Sequence, residues 1–180
     1  MTRVYRGVVL TGLLLCACAG PDKAPAPPQR DVDPTIAVLH DSIRADSTNW
    51  RLYMTLADQL RHKGRLDEAS QAADAAFMLA PSPGNDARLE IAKVHAAANR
   101  PAAAINLVKE VEKKRAAGEP VDEVKIAEVY AVLGDTEAVF RWLDRALQAK
   151  SPSMQTLKSN TDFLGVQKDP RWAVYVGPQD

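Results

Sequence analysis

The chain has 180 residues, with 23 basic and 23 acidic side chains and two cysteines. That length suits one domain or one compact repeat array, the zero formal charge gives no bulk attraction for nucleic acid, and two cysteines are too few for a disulfide scaffold. Aromatics at 6% speak against an all-β sandwich, whereas 29 alanines, in stretches free of Gly and Pro, favour helices, because alanine loses the least on entering one.

Residues 1–20 read MTRVYRGVVLTGLLLCACAG. Arg3 and Arg6 form a positive start, and Gly7 to Leu15 is uncharged and mostly apolar. The run is too short for a hydrocarbon core that takes about 20 apolar residues to span, so it has the pattern of an export signal. Its end, Leu15-Cys16-Ala17-Cys18, resembles a bacterial lipobox. An aliphatic residue stands three places before the cysteine to be lipidated and a small one immediately before it. Cys16 fits less well, because Leu15 occupies the place where a small residue is expected. An ordinary signal peptide cut after an A-x-A-like site is the alternative. The lipoprotein resemblance implies that residues 1–17 are removed and that Cys18 carries acyl chains. Each buried methylene is worth about 0.8 kcal/mol, so several chains anchor durably. Ala19 stands where the family's inner-membrane retention signal has Asp, which implies an outer-membrane anchor facing the periplasm. Removal of that segment leaves 21 basic against 23 acidic side chains, and the acylated Cys18 leaves no thiol for a disulfide or for catalysis.

Pro21 to Pro28 holds four prolines in eight residues, a composition that makes an extended, semi-rigid spacer and no helix. The segment to about Asp33 is therefore expected to be a tether. A Pro-rich ligand is the alternative, and it lacks a clear basic flank.

Beyond Pro34 the punctuation is regular. Gly64, Asn99 and Gly134 stand 35 apart, each followed by a polar or turn residue and a helix-forming run. A period near 34 signals stacked helical hairpins. In the first unit, about 50–83, Tyr53, Leu56, Ala57 and Leu60 make the inner stripe of one helix, Gly64 the turn, Ala69, Ala73 and Ala76 the second helix, and Pro81 its end. The second unit, about 85–118, has Ile91, Ala92 and Ala104 in the equivalent places, with Arg88 and His95 where bulky aromatics are usual. The third, about 120–153, has Ile126, Ala127, Tyr130, Gly134, Ala138, Trp142 and Ala146. On these residues the chain resembles the tetratricopeptide-repeat (TPR) family. The resemblance implies an all-α, right-handed α-α superhelix of about three helical hairpins over 34–180, closed by caps at 34–49 and 154–180. Helices pack closely only where small side chains sit at the crossing, and Ala57, Ala69, Ala92, Ala104, Ala127 and Ala138 are expected there. A lone hairpin cannot bury its face, so stability comes from stacking.

The front cap is a helix over 34–46, with Leu39 and Ile43 on its packing side. In the tail, Ser151-Pro152 and Asp169-Pro170 are expected as helix starts, an N-cap followed by Pro at the first helical position. Leu157, Phe163, Leu164, Trp172, Val174 and Tyr175 are expected to pack on the last hairpin. Tyr130-Ala131-Val132-Leu133-Gly134-Asp135, Trp142-Leu143-Asp144-Arg145-Ala146 and Asp169-Pro170-Arg171-Trp172 are also similar to a recurring C-terminal ending of bacterial repeat proteins, a structural feature.

Chemistry is sparse. His40, His62 and His95 share no metal-ligand spacing, so no metal and no cofactor is expected, and His95 falls at a core position. No phosphate loop and no nucleophile elbow is present. Asp67-Glu68 and Asp122-Glu123 stand near helix N-termini, where the dipole stabilises negative charge. Lys109 to Arg115, KEVEKKR, is a solvated face of mixed sign and no nucleic-acid patch. An enzyme is not expected.

What remains is a surface. The resemblance implies a concave face lined by the first helix of each hairpin. It would be built from Arg51, Met54, Asp58, Arg61 and His62, then Leu89, Lys93 and Ala97, then Val124, Glu128 and Ala131. Arginine suits carboxylates, since its planar fork meets both oxygens. Arg51, Arg61 and Lys93 are therefore expected to anchor an acidic segment of an unidentified protein or peptide, or else to be solvated surface charges. The expected function is a membrane-anchored adaptor or scaffold. The other reading is a self-associating structural lipoprotein, packed through Trp50 and the capping helices.

Overall fold

The computed structural model describes residues 33–177. The expected signal segment, Cys18, the tether up to residue 32 and residues 178–180 lie outside the described residues. Within them the chain is all-helical, with no strand.

Helix α1, Pro34–Ala45, starts as its sequence dictates: Asp33 accepts from the backbone N–H of Thr35 at 2.9 Å, and Pro34 fills the first helical position. Six helices follow: α2 (Trp50–His62), α3 (Leu66–Leu79), α4 (Asn85–Ala97), α5 (Pro101–Ala116), α6 (Glu123–Leu133) and α7 (Thr136–Gln148). They pair as α2 with α3, α4 with α5 and α6 with α7. Successive pairs meet mainly through α3 on α4 and through α4 on α6, with α1 against α2 at the front.

The period of 35 has a backbone cause. Gly64, Asn99 and Gly134 all take left-handed φ values, 72°, 55° and 78°. At each of these turns the next residue reaches back to the same place in the preceding helix: Arg65 N–H to Leu60 at 2.9 Å, Arg100 N–H to His95 at 2.8 Å and Asp135 N–H to Tyr130 at 3.0 Å. This is the closing bond of a Schellman motif, which needs a left-handed residue where Gly or Asn is tolerated best.

All six alanines expected at crossings are fully buried, at 0% exposure. Two clusters make the core. One gathers Ile36, Leu56, Leu60, Ile91 and Val94 around the first hairpin, and the larger gathers Leu89, Val108, Ile126, Leu143, Phe163 and Trp172. Leu39 and Ile43, expected on the packing side of α1, do pack against the first. Arg88, at an aromatic position, is only 13% exposed along its side chain and places its guanidinium 5.8 Å from the Phe77 ring while meeting Glu110.

The tail departs from the expected capping helices. Ser151 does cap, accepting from the Ser153 N–H at 3.3 Å, but the element it opens is a 3-10 helix over Pro152–Ser159, followed by a second over Thr161–Phe163. Asp169 accepts from the Arg171 N–H at 2.9 Å, yet the final helix α8, Trp172–Val176, begins two residues later than Pro170 implied and has only five residues. Leu157, Phe163 and Trp172 are buried, whereas Leu164 and Val174, expected to pack, are 62% and 69% exposed. Leu164 directly follows the second 3-10 helix, whose side chains repeat every three residues and cannot all face one neighbour, and Val174 lies in α8, whose five residues bury Trp172. Arg171 fastens the end to α7: it forks onto Glu137 at 2.9 and 3.1 Å and lies 4.2 Å from the Phe140 ring, which Tyr175 also stacks upon.

His95 sits where α3 meets α4. It is 3% exposed and meets Ser70 Oγ at 3.2 Å through Nδ1 and Asp74 at 3.3 Å through Nε2. Arg100 closes the group by donating to both Ser70 and Asp74. Ser, His and Asp together have the composition of a nucleophilic set, but the Ser70 hydroxyl is enclosed at 3% exposure and already engaged by Arg100. The group is a polar joint between hairpins. Burial pushes the His95 pKa below its ordinary value, with Asp74 opposing and Arg100 reinforcing that shift. The unfolded chain therefore binds this proton more readily than the folded one, so stability falls as pH drops below about 6.5 toward the lower folded value. Urea titrations at pH 7.5 and 5.0 should show a larger loss for the wild type than for His95→Gln, which cannot titrate; equal losses would remove His95 from the acid response.

Candidate partner-binding face

Helices α2, α4 and α6 bring one position of each hairpin into register. Asp58, Lys93 and Glu128 are separated by the same 35 residues as the turns, and they form a ladder of alternating sign. Lys93 Nζ lies 2.8 Å from Glu128 and 3.1 Å from Glu90. Arg61, on the next turn of α2, reaches Asp58 at 3.3 Å. The cations on this face do meet an acidic segment, and it belongs to the chain itself. Asp162 accepts from Arg61 at 3.1 Å and from Lys93 at 3.2 Å through its two oxygens, while Asn160 donates to Glu128 at 2.7 Å. The Asn160 side chain also caps its own turn at the Asp162 N–H, 3.0 Å away, which fixes the register of the segment.

This arrangement corrects several expectations. Lys93 is 6% exposed and committed, so it is no free anchor. Burial works against its charge, and Glu128, Glu90 and Asp162 outweigh that and raise its pKa. Leu89 and Val124, expected on the groove surface, are at 0% and 1% exposure inside the larger core cluster. The reason is that α4 is packed on several sides, by α3, α5 and α6, and the tail covers part of what a concave face would leave open. Glu128 is likewise buried, whereas Ala97 and Ala131 are half-buried. Arg51 and Arg61 do not act together: Arg51 is exposed and rests 4.6 Å over the Trp50 ring, while Arg61 is drawn into the ion network.

The open part of the face lies at the first hairpin. Met54, Thr55, Asp58, Glu90 and Val94 line a cleft of about 340 Å³ between α2 and α4. On the other side of Thr55, Pro34, Thr35, Val38, Leu39 and Gln59 line a second depression of about 440 Å³ between α1 and α2. Val38 is 63% exposed there. His62 is exposed beside the cleft, with Nδ1 2.9 Å from the Asp58 carbonyl oxygen.

The residues that sequence reasoning missed are Asn160, Asp162, Thr55, Glu90 and Val94. The tail was read through its apolar side chains, and Asp162 meets Arg61 across 101 residues of chain, a separation no local pattern reports. Among the described residues, no group of three or more His, Cys, Asp and Glu side chains is placed to hold a metal ion, and no helix is long and apolar enough to cross a membrane. No protein-family model, curated protein or solved structure matches this chain.

Proposed function

We propose that this chain is a lipid-anchored, TPR-like adaptor of the bacterial envelope, held to the outer membrane through Cys18, and that it binds another protein at the open end of its α2–α4 face. On this reading α2 to α7 are three hairpins of a short right-handed superhelix, α1 is the front cap, and the tail closes the back. The observation that carries the reading is the pairwise packing of α2/α3, α4/α5 and α6/α7 with α4 on α6, together with an uncovered cleft on that face at the first hairpin. A buried ion network at its centre suits a scaffold that holds its shape while a surface docks. Such a protein needs no convergent catalytic set, and an adaptor role is preferred to an enzymatic one on that ground.

The test is site-specific photocrosslinking in the native envelope. A photoreactive residue at Thr55 should give one dominant heterologous adduct, and the same residue at exposed Lys109 should not. Absence of any adduct at Thr55 would overturn the adaptor reading. The second reading, self-association, is favoured by exposed Val38 beside the α1–α2 depression. It would instead yield an adduct of twice the chain's mass and a dimer in light scattering.

A further inference from the structure

The face identified above was expected to recruit acid, and its charges argue the reverse. Four carboxylates, those of Asp58, Glu90, Glu128 and Asp162, share two permanent cations, Arg61 and Lys93. Both cations are spent inside the network: Arg61 holds Asp58 and Asp162, and Lys93 holds Glu90, Glu128 and Asp162. Two of those carboxylates, Asp58 and Glu90, are the ones that line the open cleft, with side chains 45% and 37% exposed. Their neighbours in the lining, Met54 and Val94, are apolar. Each rim carboxylate has a partner, Arg61 and His62 for Asp58 and Lys93 for Glu90. Four carboxylates against two permanent cations nevertheless leave the cleft a net negative rim above a hydrophobic floor, a few ångströms from groups with low solvent exposure, where charge is poorly screened.

Resting on the adaptor reading, we infer that the α2–α4 cleft takes a segment of a partner protein that carries lysine or arginine beside an aliphatic residue. The cationic head sits between Asp58 and Glu90, its methylene stem and the aliphatic neighbour lie on Met54 and Val94, and the chain continues over Thr55 toward Val38. An acidic segment is refused twice. It would face like charge at the rim, and two of the three cations expected to receive it, Arg61 and Lys93, are already held by Asp162, while Arg51 rests on the Trp50 ring.

The probes are two capped nine-residue peptides, identical except for a central Lys or Glu between leucines, titrated into the full chain labelled with ¹³C at its methionine methyls. Four methionines are present, and Met54→Leu assigns the reporter. The Lys peptide should shift the Met54 methyl saturably and bind at least tenfold tighter than the Glu peptide. Asp58→Asn with Glu90→Gln, checked for an unchanged unfolding midpoint, should weaken the Lys peptide at least tenfold. Raising salt from 0.05 to about 0.5 M should weaken it in the same direction. Equal or tighter binding of the Glu peptide, a silent Met54 methyl, or full affinity in the double variant would each overturn the inference. These outcomes stand apart from the crosslinking result. A heterologous adduct at Thr55 with no Lys preference leaves the adaptor and removes the charge assignment, whereas no adduct at all removes the adaptor itself.

Discussion

Replacing Lys93 by methionine should lower the unfolding free energy by about 3–5 kcal/mol, the cost of removing one partner from a buried ion pair. The side chain is 6% exposed and is the only contact with a permanent cation for Glu90 and Glu128 among the described residues, besides being one of two for Asp162. Methionine fills similar volume, so the loss is electrostatic and not a cavity. Adding Glu128→Gln and Asp162→Asn to Lys93→Met should recover part of the deficit, because the stranded charges go with it. Urea unfolding followed by circular dichroism measures both. A single-variant loss below about 1 kcal/mol would mean that the network contributes no more than an exposed pair, and a triple variant less stable than the single one would mean that the carboxylates find other partners.

Much of this architecture can be read from the order of residues, because it rests on local rules. A left-handed turn wants Gly or Asn, so Gly64, Asn99 and Gly134 announce the hairpin period. A close crossing wants a small side chain, so the six alanines mark where helices touch. The site was less legible, for a physical reason. Periodicity says that Lys93 and Arg61 share the inward side of their helices, but whether that side faces solvent depends on what a distant segment does. Asp162 lies 69 residues from Lys93 and 101 from Arg61, and its place is set by Phe163 next to it. One clue was present in the sequence: Lys93 and Glu128 stand one period of the turns apart with opposite sign, and they do pair α4 with α6 across the face. The tail departs from the helix starts that Pro152 and Pro170 predict, because Pro152 opens a 3-10 helix and Pro170 lies in a turn before the five-residue helix that begins at Trp172.

The internal acidic segment also changes what the fold can do. Had the tail been a plain capping helix, Arg61 and Lys93 would be open to any carboxylate in solution. With Asp162 bound to both, the part of this face left open is the cleft between α2 and α4, away from the larger of the two core clusters. The cleft uses the exposed carboxylates of the network, Asp58 and Glu90, and rigidity rests on its buried members, so changes at Asp58 or Glu90 should alter docking with less effect on folding than changes at Lys93.

That division depends on Phe163, and Phe163→Ala is the variant that tests it. The ring is fully buried and lies 5.4 Å from Trp172, so truncation should cost about 3–5 kcal/mol by loss of burial and by the cavity left behind. The more telling quantity is its coupling to Lys93. In the wild type, removing Lys93 leaves Asp162 held against α4 without its second cation. Once Phe163 no longer fastens the segment, Asp162 can swing into water, and part of the Lys93→Met penalty should vanish. The double variant is therefore expected to be more stable than the sum of the two single losses by about 0.5–3 kcal/mol, the range for residues that share a network. Strict additivity would show that the tail and the ion ladder are stabilised independently. Asp162 would then be an incidental neighbour of Lys93, and α2, α4 and α6 would keep their polar face without help from the C-terminal segment.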